Sequence, residues 1–152
     1  MIKYIDGDLL DDSHGFDVIG HGCNCFCTMG AGIAPQIKNK FPEAYIADCA
    51  TTKGDKNKLG TISFTENITP TVVNVYSQYG YSGRLHGEID LDYEALRKGL
   101  KLMKEKYSGK KFGLPMIGAG LAGGDWNVIE KIIEEVFRGE YVTIVKYVPK
   151  PF

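Results

Sequence analysis

Apolar residues along the chain fall into two periods. Short β-branched or aromatic runs, MIKYI, FDVIG, TISF, TVVNVY, KKFGL and YVTIVKYV, are bounded by Gly, Pro, Asn or Asp and predict six strands. Between them, Ile89, Tyr93, Leu96, Leu100, Met103 and Tyr107 recur every three or four residues, as do Ile129, Ile132, Ile133, Val136 and Phe137. Each series predicts a helix with one apolar face to lay on a sheet. Residues 33–40 and 42–52 read as two further helices, the second with Pro42 in its first turn, where the missing N–H costs nothing. Alternation of strands and helices predicts an α/β fold with helices on both faces of the sheet. The consecutive strands within residues 61–76 allow an antiparallel pair, so the sheet is expected to be mixed.

Composition narrows the function. The 152 residues carry 18 Lys+Arg against 19 Asp+Glu, a net charge of -1, and are 43% hydrophobic. That suits one domain over residues 1–152, since no repeat, low-complexity tract or linker divides the chain. The charged stretch TTKGDKNKLG reads as an exposed loop. General nucleic-acid binding is not expected without a clustered excess of cations; a small or neutral partner is. No run approaches the roughly 20 apolar residues of a membrane span. The start MIKYIDGD lacks a secretory pattern, so a cytoplasmic protein is expected; a monomer is expected as well. Cys23, Cys25 and Cys27 are too closely spaced to pair comfortably, and only Cys49 lies further off. With His21 they sit within seven residues, closer than zinc knuckles prefer. Reduced thiols and no metal are expected, and His21 reads as a buried, hydrogen-bonded side chain.

The 19 glycines are unevenly placed. Gly20, Gly22, Gly30 and Gly32 follow the second predicted strand; Gly80, Gly83 and Gly87 the fourth; Gly118, Gly120, Gly123 and Gly124 the fifth. Loops after strand carboxyl ends converge on one crevice in open α/β sheets. Glycine lets successive N–H groups turn inward as a nest, and a following helix N-terminus adds positive potential. Phosphate is the natural guest. Apart from Arg84 these loops hold almost no cationic side chain, so backbone amides would do the holding.

Familiar phosphate chemistries are absent or incomplete. No G-x-x-x-x-G-K-[ST] occurs. Gly118-Ala-Gly120-Leu-Ala-Gly123 matches the dinucleotide fingerprint, but it lies late in the chain and Glu140 precedes the last strand instead of ending it. Asp6-Gly-Asp8-Leu-Leu matches a D-x-D phosphatase nucleophile except that Leu10 replaces Thr or Val. The sixth positions after Cys23, Cys25 and Cys27 are Met29, Ala31 and Ile33, which excludes a C-x5-R mechanism.

Gly7-Asp8-Leu9, HGCNCFCTMGAGIAPQIKNKFP and LPMIGAGLAGGDW together resemble the macro domain, an ADP-ribose-binding family, over essentially the whole chain. The Asn-Cys of HGCNC, the loop MGAGIA and His86-Gly87-Glu88 are most similar to yeast-type ADP-ribose 1''-phosphate phosphatases. The resemblance implies a three-layer α/β/α sandwich around a mixed, roughly six-stranded sheet, and no cofactor. It places Asp8 at the adenine amino group with Leu9 beside it, and includes Gly22 in the substrate site. Asn24 falls near the distal ribose. Met29, Gly30, Ala31, Gly32 and Ile33 form the first diphosphate loop; Gly118, Ala119, Gly120, Leu121 and Ala122 form the second. Tyr147 could face adenine or serve sheet packing. From the residues alone, Asp8 could equally cap a turn at 9–12, and Asn24 could be a turn residue.

The ligand this implies is ADP-ribose or its 1''-phosphate, and the reaction is hydrolysis of the terminal phosphate. Asn24, His86 and Asp125 are the groups able to orient water or move a proton; helix N-capping is the competing role for Asp125, which precedes Trp126. In related macro domains that remove ADP-ribose from glutamate, a lysine and an aspartate carry the reaction. The matching positions here are Gln78 and Ala122. Removal of ADP-ribose from macromolecules by another route, and non-catalytic reading of ADP-ribose, are the alternatives.

Overall fold

A computed structural model describes residues 2–149, the side chain of Arg84 excepted. The described residues form a mixed six-stranded sheet in the order β1-β6-β5-β2-β4-β3. The strands are β1 (Ile2–Gly7), β2 (Val18–Cys23), β3 (Ile62–Phe64), β4 (Thr71–Tyr76), β5 (Lys111–Leu114) and β6 (Tyr141–Tyr147). Only β3 runs antiparallel, paired with β4; the other neighbours are parallel. All carboxyl ends of the parallel strands therefore open on one edge. Met1, in the first predicted strand, lies outside the described residues.

Four α-helices flank the sheet: α1 (Ala34–Lys40), α2 (Pro42–Cys49), α3 (Tyr93–Lys106) and α4 (Trp126–Val136). Strand alternation sorts the core between the two faces. Val18, Val73, Val75, Phe112, Leu114, Val142 and Ile144 pack under α3 and α4 with Leu96, Leu100, Met103, Ile129, Ile132 and Ile133. Their sequence neighbours Ile19, Val72 and Val145 point the other way, into Ile37, Phe41 and Ala44 of the α1–α2 side. The chain is thus a three-layer α/β/α sandwich, and among the described residues no helix is long and apolar enough to cross a membrane.

Two helix boundaries differ from the periodicity. Ile89 does not belong to the α3 face: the helix begins at Tyr93, capped by Asp92, whose side chain accepts from Ala95 N, and Ile89 is 60% exposed. The cap stops the helix where the apolar spacing would carry it on, and Leu91 takes the buried place. Likewise α2 ends at Cys49 instead of 52, as Thr51 Oγ1 turns back to accept the role of a local donor to Asp48 O at 2.5 Å.

Candidate functional site

A cleft of about 790 Å³ opens along the carboxyl edge of the parallel strands. Its floor is the end of β2 (Gly22, Cys23), the segment after β5 (Pro115, Met116, Ile117) and Val145 of β6. One wall is the loop from Asn24 to Ala34, the other the loop from Gly118 to Ala122; Asp8 and Leu9 close one end with Tyr147, and Gln78, Tyr81 and Asp90 lie along the margin after β4. This is where β2 sits between β5 and β4, the point at which connections leave the sheet in opposite directions and loops splay apart.

The first loop is fixed by its own side chains. Asn24 Oδ1 accepts from Phe26 N at 2.8 Å, and Asn24 Nδ2 donates to Thr28 Oγ1 at 2.8 Å. One N–H of that amide remains for another acceptor. Cys27 and Met29 adopt positive φ, 58° and 39°, an uncommon state for residues with side chains that concentrates at functional sites. Met29 is nonetheless buried, while Gly30, Ala31 and Gly32 are exposed. Among the described residues, the amides of Gly30, Ala31 and Gly32 donate to no other residue.

Polar side chains support that loop from below. Lys58, 6% exposed, donates to Cys25 O at 3.1 Å and lies 3.7 Å from Cys27 Sγ. Cys27 Sγ also donates to Asp48 O at 3.2 Å, and Asp48 Oδ1 accepts from Tyr76 Oη at 2.7 Å. Tyr76 meets Ser63, Ser63 meets Asn74, and Asn74 Oδ1 reaches His21 Nε2 at 2.7 Å. Burial pushes the Asp48 carboxyl up, opposed by the Tyr76 hydrogen bond and the Lys58 charge. Burial lowers His21 to about 4, so it is a neutral imidazole at neutral pH. Burial raises the Cys23 and Cys25 thiols.

The second loop is held by apolar packing and backbone bonds. Ala119 N donates to Met116 O, Gly123 N to Gly120 O and Gly124 N to Gly118 O, at 2.8–3.2 Å. The amides of Gly118, Gly120, Leu121 and Ala122 donate to no other described residue. Gly118 has φ 77°, a left-handed conformation that favours glycine, and a Cβ on Gly124 would stand 2.3 Å from Leu91 Cδ2 and 2.7 Å from Gly118 O. Asp90 joins this loop to the margin after β4: its amide donates to Ala122 O, and its carboxylate accepts from Gly83 N at 3.1 Å.

Two walls of open amides on a parallel-sheet edge are matched by sequence similarity: a model of the Macro domain family fits residues 21–133. The chain belongs to the macro domain family. A Debaryomyces hansenii relative, an ADP-ribose 1''-phosphate phosphatase, is 29% identical over 89% of this chain and 93% of its own length. An ADP-ribose glycohydrolase, OARD1 of Bos taurus, is 29% identical over 96% of this chain and 90% of its own. A macrodomain protein from Streptomyces coelicolor superposes with a TM-score of 0.75 at 26% identity, covering 99% of this chain and 100% of its own.

In this macro domain the structure brings Asp8, Leu9, Gly22, Asn24, Met29, Gly30, Ala31, Gly32, Ile33, Gly118, Gly120, Leu121, Ala122 and Tyr147 to the cleft. It does not bring Ala119, His86 or Asp125 there. Ala119 turns to the core under α4. His86, exposed, ends the 3₁₀ turn Gly83–His86 outside the lining. Asp125 is the exposed N-cap of α4: its side chain accepts from Asn127 N at 2.9 Å and its amide donates to Tyr93 Oη. Asp8 combines both readings, since Oδ1 accepts from Leu10 N at 2.9 Å while the residue lines the cleft. His21 is fully buried, as its place beside the strand end suggested. Sequence reasoning missed Gln36, Asp48, Tyr81 and Asp90 in the lining. Gln36 could have been found, standing one helical turn after Gly32.

Proposed function

We propose that the cleft binds ADP-ribose and hydrolyses the terminal phosphate of ADP-ribose 1''-phosphate. One observation carries the reading. Two glycine loops with open amides face each other across a single cleft, and among the described residues no lysine or arginine lines it. Amides arranged in this way suit a diphosphate. Asp8 accepts from the adenine amino group, Tyr147, 65% exposed, offers a ring to its face, and the chain reaches across Gly30–Gly32 and Gly118–Ala122 towards Asn24.

The Asn24 end then receives the distal ribose and its phosphate. Burial raises the thiol of Cys23, the cysteine in the cleft lining, which argues against a cysteine nucleophile; water therefore attacks phosphorus, the bond from phosphorus to the ribose oxygen breaks, and a proton from the water ends on the departing ribose hydroxyl as phosphate is released. Asn24, with one N–H to spare, orients the reacting groups; His86 and Asp125 stand outside the lining, and the reading does not depend on them. The name of the Debaryomyces hansenii relative supports this substrate. The OARD1 relative favours a second reading, cleavage of ADP-ribose from a macromolecule, although Gln78 and Ala122 replace the expected lysine and aspartate.

Phosphate release from ADP-ribose 1''-phosphate, measured beside ADP-ribose release from a modified protein or DNA, tests both readings. The first product alone is expected. Asn24→Ala should lower turnover by on the order of a hundredfold and ADP-ribose affinity by less, the affinity loss coming from the two hydrogen bonds that hold the first loop. Binding without release of either product would make the protein a reader.

A further inference from the structure

Three carboxylates stand among the described lining residues of the cleft, those of Asp8, Asp48 and Asp90. Two of them are engaged elsewhere. Asp8 closes the end assigned above to adenine, beside Tyr147, and its Oδ1 holds Leu10 N. Asp48 is 1% exposed, and its Oδ1 accepts from Tyr76 in the network beneath the first loop. Asp90 is only half-buried, and both its oxygens share a single donor among the described residues, Gly83 N, at 3.2 and 3.1 Å. An ionised carboxylate has about four acceptor sites, so this one, at the cleft margin, keeps most of its capacity free.

The backbone fixes where that carboxylate stands. Asp90 N and Leu91 N both donate to Ala122 O, at 3.0 and 3.2 Å, which ties the residue to the second glycine loop. On the other side Leu91 bridges Gln78, and the next residue, Tyr79, accepts through its carbonyl from Cys25 N at 3.0 Å. Cys25 follows Asn24. Asp90 therefore sits between the loop of open amides and the end of the cleft that carries Asn24. Gly83 makes room for it: a Cβ there would stand 2.6 Å from Asp90 Oδ1, and Gly83 has no left-handed φ that would otherwise call for glycine.

We propose that Asp90 is the general base of the phosphatase reaction, taking a proton from the water that attacks phosphorus. The proposal rests on the reading of the cleft given above. The water oxygen bonds to phosphorus as its proton passes to a free lone pair of Asp90, and the bond from phosphorus to the ribose oxygen breaks. That proton then returns, through the water of the open cleft, to the departing ribose oxygen, and Asp90 is ionised again. Charge gathering on the phosphoryl oxygens falls to the open amides of the second loop, among them that of Ala122, whose carbonyl anchors Asp90.

Asp90→Asn and Asp90→Ala test this, each compared with wild type for melting temperature, ADP-ribose affinity by calorimetry, and kcat on ADP-ribose 1''-phosphate. The amide keeps an oxygen for Gly83 N and loses only the base; alanine loses both. Expected in Asp90→Asn are an unchanged melting temperature, affinity within about twofold and kcat lower on the order of a hundredfold, with Asp90→Ala no more than about threefold slower again. Near-wild-type kcat in Asp90→Asn would make the carboxylate a brace for the Gly83 turn and overturns the proposal. A joint fall of melting temperature, affinity and turnover in both variants overturns it too, and the cleft assignment survives either result. A wild type that binds ADP-ribose but releases no phosphate rejects the phosphatase reading and the proposal with it. One that does neither rejects the cleft assignment as well.

Discussion

The two loops that face each other across the cleft are stiffened by different physics. The loop after β2 rests on polar groups: Lys58 against Cys25 O, Cys27 against Asp48 O, and a chain of hydrogen bonds through Tyr76, Ser63 and Asn74 to His21. The loop after β5 rests on hydrocarbon, with Gly118 and Gly124 pressed against Leu91 and Ile129. Each keeps its amides open, but the first depends on charge and protonation and the second on volume. The same outward geometry therefore has two distinct ways of failing.

The largest expected effect is on the apolar side. Leu91→Ala removes a nearly buried side chain beneath both glycines and should cost about 4 kcal/mol in denaturant unfolding, equally at pH 7 and pH 5. A loss under 1 kcal/mol would mean that the loop's backbone hydrogen bonds suffice to hold it.

The polar side should answer to acid. His21 has a folded pKa of about 4 against roughly 6.5 in the unfolded chain, so the unfolded state takes up a proton that the folded state refuses. Its contribution is nil above about pH 6.5; stability then falls as pH drops towards 4, by roughly 3 kcal/mol in all, and levels off below. Urea titrations from pH 7 to 4 should show this slope, and His21→Gln should flatten it. A slope unchanged by that substitution would remove His21 as its source.

Smaller still is the effect of Lys58→Met, which deletes the donor to Cys25 O while preserving most of the buried stem. We expect about 2 kcal/mol, and ADP-ribose affinity lost in proportion to the loosening of Gly30–Gly32. Full affinity in a destabilised Lys58→Met protein would separate the loop from its support.

Much of this was legible in the chain. TVVNVY forms β4 with the boundaries its composition suggests, Thr71–Tyr76, and Gly22, Gly30, Gly32, Gly118 and Gly120 line the cleft, while Gly20, Gly123 and Gly124 of the same two groups do not. The β4 glycines behave differently: Gly83 is tied by its amide to Asp90 and none of that group lines the cleft. Ile89 kept the helical spacing, but a cap at Asp92 ends the helix first, because a local hydrogen bond outweighs one more apolar match. Asp48 and Lys58 gave no signal. They lie on α2 and in a charged stretch that read as solvated loop, and their burial is created only when the segment folds under Cys25 and Cys27.

A cleft walled by peptide dipoles, with no lysine or arginine among its described lining residues, has a selective consequence. Peptide groups do not titrate, and carrying no net charge they gather no counterion cloud to be released. With Asp8 and Asp90 in the same lining, such a seat should not lose its guest as ionic strength rises, and should give abundant triphosphate nucleotides no electrostatic advantage for their extra charge.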